Sequence, residues 1–140
     1  KVSNVIMEDV KNYNPNKLQF IHNVITKYHV APYFAITTCS ELNNRELTVF
    51  SRTLKIGIIA YLCKKVAREL KPGQESRLDT IEQLKRGGLM DFYACKGGLE
   101  NYNTEQANKI IALSKAGVNN HNCFKMIDAL EKVNYFERMI

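Results

Sequence analysis

The sequence predicts an all-α fold, a single-domain helical bundle over residues 1–140 with about five to seven helices around one long central helix. Apolar residues recur at intervals of three and four nearly everywhere, and no segment alternates polar and apolar residues for long enough to form a half-buried strand. Asn, Ser, Pro and Gly punctuate the periodic segments where helices start and stop. With 140 residues, 45 % of them apolar and 24 % charged, the chain suits one ordinary domain with its own core. A disordered tail or a low-complexity linker is excluded.

A short opening helix follows Ser3 as N-cap, carries Val5, Ile6 and Val10 on one face, and ends in the Asn12 to Asn16 stretch around Pro15. A second helix runs to about His29, with Leu18, Ile21, Val24, Ile25 and Tyr28 at helical spacing. Pro32 is expected to stop it and to leave Tyr33, Phe34 and Ile36 as an apolar connector. The segment from Ser40 to Leu70 reads as the central helix, with Thr38 and Glu41 in capping-box spacing ahead of it and Lys71-Pro72-Gly73 closing it. Leu47, Phe50, Leu54, Ile58, Leu62, Val66 and Leu70 form its stripe, which Ile56, Ile59, Ala60 and Cys63 widen until little polar surface remains. Gly57 inside such a helix implies another helix crossing close by.

After the turn, Ser76 and Asp79 repeat the capping signature ahead of Leu78, Ile81 and Leu84, and Gly87-Gly88 provides the stop. One further turn is expected over Leu89 to Ala94 before Gly97-Gly98. A helix then covers Glu105 to Ala116 and stops at Gly117. The last helix starts among Asn119, Asn120 and Asn122 and carries Phe124, Ile127, Leu130, Val133 and Phe136.

The formal net charge is +6, and it is unevenly placed. Up to Pro72 there are 11 basic and 5 acidic residues; beyond it there are 9 of each. A basic half attracts anionic partners through its long-range field. On the central helix Arg45, Arg52 and Lys55 fall on one side, and Lys64, Lys65 and Arg68 cluster near the far end on another. They read either as a solvated face or as an anion-binding track, continued by Lys11, Lys17 and Lys27 if the second helix packs alongside. Sparse aromatics and the absence of Trp disfavour nucleic acid as the partner.

Nothing in the sequence assembles into an enzyme site, so no catalytic residue, cofactor site or metal site is assigned. His22 and His29 are seven apart with no third ligand between them. His121 and Cys123 diverge if they lie on a helix. Asp79, Glu82, Asp91 and Glu100 sit in solvated or capping contexts. The glycine pairs lack the Lys and hydroxyl of a phosphate loop. Cys39, Cys63, Cys95 and Cys123 contain no C-x-x-C pair, and their spacing leaves two disulfides or four free thiols open. The longest apolar stretch, Ile56 to Cys63, is too short to cross a membrane. A chain that opens on Lys reads as an excised domain or as a mature product whose signal is gone.

From Lys64-Lys65 through Leu70, then Ser76-Arg77-Leu78, Lys85-Arg86, Phe92-Tyr93, Lys96 and Tyr102, the pattern resembles the abalone acrosomal sperm proteins, lysin and its fusion-associated paralogue. The absence of Trp, the four cysteines, the longer C-terminal segment and the modest basicity point toward the paralogue. The resemblance implies a secreted basic bundle, stored in the acrosome, that acts without covalent chemistry on the egg coat or the egg membrane in gamete recognition or membrane fusion. By position it implies Lys64, Lys65, Arg77, Lys85 and Arg86 as basic contacts and Phe92 and Tyr93 as apolar ones. A second stretch, Tyr61 to Ile140, resembles the six short helices of a death-fold domain, with Ile110 to Ile140 similar to the fourth to sixth helices of a death-effector module. Asn134-Tyr135-Phe136-Glu137 stands where that family has its charge motif. This alternative implies a cytoplasmic adaptor assembling through charged patches.

The resulting expectation is a non-enzymatic basic protein that binds an anionic glycoprotein or a membrane surface, with a homodimer allowed and no cofactor. Its contacts are Arg45, Arg52, Lys55, Lys64, Lys65, Arg68, Arg77, Lys85 and Arg86, with Phe92 and Tyr93 as apolar contacts.

Overall fold

The computed structural model describes residues 15–139, so the expected opening helix after Ser3 lies outside the described residues. All regular structure among them is α-helical, in nine segments rather than five to seven. The chain divides into two compact units, one ending at Glu69 and the other beginning at Leu70.

The first unit contains α1 (Pro15–Tyr28), α2 (Pro32–Glu41), α3 (Asn44–Lys55) and α4 (Ala60–Glu69). Helix α1 buries Ile21 and Val24 and ends next to His29, whose φ of 54° turns the chain out of the helix. Pro32 does not leave a connector behind it. It occupies the first turn of α2, where its missing N–H costs nothing and its fixed φ already suits a helix. Ala35, Thr38 and Cys39 of α2 are fully buried.

The long central helix expected over Ser40 to Leu70 is broken twice: Ser40 and Glu41 end α2, and α3 and α4 follow as separate helices. The capping box that starts α3 is Asn43 with Glu46, not Thr38 with Glu41: the Asn43 side chain accepts from the Glu46 N–H at 2.9 Å, and the Glu46 carboxylate accepts from the Asn43 N–H at 2.9 Å. Helix α3 ends at Gly57, which has a φ of 90°. The Gly57 N–H donates to the Leu54 carbonyl at 3.0 Å and the Ile58 N–H to the Thr53 carbonyl at 3.2 Å, the paired bonds of a Schellman motif. The glycine therefore marks a stop rather than a close crossing. The same pair of bonds closes later helices at Gly88 and Gly117. Helices α3 and α4 pack against one another as a helical hairpin, burying Val49, Phe50, Leu54, Cys63, Val66 and Ala67.

The second unit contains α5 (Arg77–Arg86), α6 (Met90–Cys95), α7 (Gly98–Asn101), α8 (Thr104–Lys115) and α9 (Asn120–Met139). Ser76 makes no side-chain cap to α5 and already has helical dihedrals, because tight turns from Gln74 onward lead directly into the helix. Leu78, Ile81, Leu84, Leu89, Ile110 and Phe124 form the core. Tyr102 joins it, its ring 6.2 Å from Tyr93 and 5.6 Å edge-on from Phe124. A second capping box, Asn103 with Gln106, starts α8. Of the stripe expected along the last helix, Phe124 and Ile127 are buried, whereas Leu130, Val133 and Phe136 are exposed.

Candidate functional site

The cations of the sequence fall into separate places with different surroundings. One is a groove of about 710 Å³ between α1 and α3 in the first unit. Along α3, Asn44, Leu47, Thr48, Ser51, Arg52 and Lys55 step by three, one, three, one and three, so a complete helix face lines the groove. Opposite them stand Asn16, Lys17 and Phe20 from the first turns of α1. Pro15 opens α1 and the Asn43–Glu46 box opens α3, so the register of both walls is fixed at the helix starts. Buried Leu47 and half-buried Phe20 make an apolar floor, and the amides, hydroxyls and cations form the sides.

Arg52 and Lys55 occupy the last turn of α3, where the helix dipole favours positive charge. Among the described residues lining the groove, three are cations and none is a carboxylate. Of the expected continuation of the track, Lys17 lines the groove with Arg52 and Lys55, Lys27 is not among the described lining, and Lys11 lies outside the described residues; Arg45 is half-buried and is not among that lining either. Helical spacing does not single out Phe20, because it sits off the main stripe of α1. The signal that marks the groove is the run of small polar residues spaced along one edge of the α3 stripe.

The cluster near the end of α4 is largely satisfied internally. Lys64 donates to the Glu41 carboxylate at 2.7 Å, and Arg68 lies 3.6 Å from the same oxygen. The Lys64 ammonium also lies 5.4 Å from the centre of the Phe34 ring. The hydrogen bond from Lys64 and the two positive charges hold the Glu41 carboxyl below its usual range. Phe34, Tyr61, Lys64, Lys65, Arg68 and Glu69 line a shallower cleft of about 440 Å³. Glu41 thus sits on two of its cations, and Glu69 stands in its wall.

In the second unit the expected contacts have structural positions. The Arg77 guanidinium donates to the Leu99 carbonyl at 3.2 Å and to the Tyr102 carbonyl, tying the start of α5 to the end of α7. Arg86 lies 3.5 Å from Glu82 one turn earlier, and Lys85 is exposed. Tyr93 is only 2 % exposed, which removes it as a surface contact. Phe92 is partly exposed and stacks on Phe124 at 6.2 Å.

All four cysteines are free, with Cys95 exposed and the other three buried. Burial pushes the Cys39 thiol up to about 11 and the Cys63 thiol up to about 12. The Cys123 thiol donates to the Val118 carbonyl at 3.5 Å and is raised by burial as well. Among the described residues, no three His, Cys, Asp or Glu side chains come together as ligands for a metal ion, and no helix is long and apolar enough to cross a membrane. Comparisons with family models, with curated proteins and with solved structures find no match for this chain.

Proposed function

We propose that the protein is a non-catalytic binding module that captures an acidic segment of a partner protein or glycoprotein in the α1/α3 groove. The observation that carries this reading is the convergence of Lys17, Arg52 and Lys55, from two helices, over an apolar floor. Cations draw an anionic chain in and set its on-rate, while Phe20 and Leu47 retain whatever apolar group sits beside the acids. The Asn16 and Asn44 amides and the Thr48 and Ser51 hydroxyls offer donors to carboxylate or sulfate oxygens. A concave site of this size accepts an extended segment, whereas a flat bilayer surface leaves its floor unfilled. The likeness to the acrosomal proteins supplies one setting, secretion toward an egg coat, and rests on residues 64–102 rather than on this groove.

The test is a titration with fluorescent oligo-glutamate, a sialylated glycoprotein and anionic vesicles, at low and at physiological ionic strength. The acidic peptide or the glycoprotein is expected to bind, with affinity falling steeply as salt screens the field to about 8 Å. Lys55→Glu is expected to weaken binding about tenfold while leaving helicity unchanged. Salt-independent binding, or binding to vesicles alone, defeats the proposal.

A further inference from the structure

From Met126 to Met139 the last helix presents a second apolar face that its own unit leaves open. Met126, Leu130, Val133, Phe136 and Met139 are between 40 % and 67 % exposed. The residues that anchor the helix, Cys123, Phe124 and Ile127, lie opposite Ala129, Val133 and Phe136 by helical spacing, with Met126 and Leu130 on the flank between. Met126, Ala129, Val133 and Phe136 step by three, four and three, the a and d positions of a heptad. Leu130 and Glu137 then fall at e on one flank, and Lys125 and Lys132 at g on the other.

We propose that this face pairs with the same face of a second copy of the chain, the two α9 helices running parallel. The charges choose both the occupant and the direction. In a parallel pair each g residue faces the e residue of the following heptad in the other helix, so Lys132 meets Glu137 of the second copy, and two-fold symmetry makes that contact twice. In an antiparallel pair e faces e and g faces g, which sets Glu137 toward Leu130 and leaves Lys132 without an acid. A lipid surface fits less well: residues 129–139 contain Glu131 and Glu137 against Lys132 and Arg138, whereas helices that lie among anionic headgroups carry a basic polar face. Because the first half of α9 is already held in the core, pairing does not have to nucleate the helix. The exposed face is about two heptads long, so the dimer is weak and concentration-dependent.

Sedimentation velocity on the full chain from about 10 µM to about 1 mM reads the association directly. The wild-type protein is expected to shift from monomer to dimer across that range. K132E and E137K are each expected to lower self-association about tenfold with circular dichroism unchanged. An equimolar mixture of the two variants is expected to recover it, since the reversed charges then face one another, and V133D is expected to abolish it. A protein monomeric throughout, association indifferent to K132E and E137K, or a mixture no better than either variant alone overturns the proposal. Adsorption to anionic vesicles without self-association overturns it as well.

Discussion

The Tyr102 hydroxyl donates to one oxygen of Asp128 at 2.8 Å, while the other oxygen takes the Lys96 ammonium at 3.1 Å. One carboxylate in the middle of α9 thereby holds the residue that follows α7 and the residue that follows α6. Burial first, and then the bond and the negative charge of Asp128, raise the Tyr102 phenol well above its ordinary value of 10.0.

A raised acid makes the sign of the pH dependence definite. The unfolded chain ionises Tyr102 near 10, and the folded chain resists doing so, so this contribution is intact below about pH 10 and is lost as pH rises through the folded value. Alkaline unfolding is expected to set in just above pH 10 for the wild type. Tyr102→Phe should cost about 1 kcal/mol at neutral pH and remove part of the alkaline limb. Urea denaturation at pH 7 and pH 11 measures both; an alkaline slope identical in the two proteins contradicts the assignment.

How much of this was legible in the sequence varies by element. Periodicity alone gives α1, α5, α8 and the start of α9, because each carries one stripe ended by a recognisable stop. It fails between Ser40 and Leu70, since α3 and α4 bury facing sides of one hairpin and Leu54, Ile58 and Leu62 keep helical spacing across the break. Pro32 misleads for a related reason: proline is excluded from a helix interior yet welcome in its first turn, and local sequence does not say which applies. The groove was half legible. Arg52 and Lys55 mark one wall, but the second wall depends on which face α1 turns toward α3, a tertiary fact. Glu41 stands at capping-box spacing from Thr38 in the sequence, and its pairing with Lys64 needs α2 to fold back beside α4.

Gly57 supplies a test of that break. At a φ of 90° a side chain meets the backbone, and Gly57→Ala is expected to destabilise the protein by about 1–2 kcal/mol. If Gly57 instead lay inside a continuous helix, alanine would stabilise by about 1 kcal/mol. The direction of the change in thermal midpoint separates the two.

The thiols are expected to divide one against three. Cys95 is exposed, while Cys39 and Cys63 are buried with pKa values pushed up to about 11 and about 12, so neither forms thiolate at neutral pH. Reaction with an excess of a thiol reagent at pH 8 should label one cysteine per chain promptly and the other three only in denaturant. Prompt labelling of two or more overturns the buried placement, and fewer than four labels in denaturant without reductant reveals a disulfide.

The two cation sites are expected to respond oppositely to their neighbours. At the groove, Arg52→Glu combined with Lys55→Glu removes attraction and adds repulsion, and binding of oligo-glutamate at low salt should fall by at least about tenfold. At the α4 cluster, Lys64 and Arg68 are engaged by Glu41 at 2.7 and 3.6 Å, so Arg68→Glu should change that affinity by less than about threefold. Glu41→Gln releases both cations at a stability cost below about 1 kcal/mol, because the pair is partly solvated. It should therefore strengthen binding of the acidic peptide rather than weaken it. If the order is reversed, with the α4 variants disabling binding and the groove variants silent, the anion enters beside Tyr61 and Phe34 instead, and the α1/α3 groove loses its role.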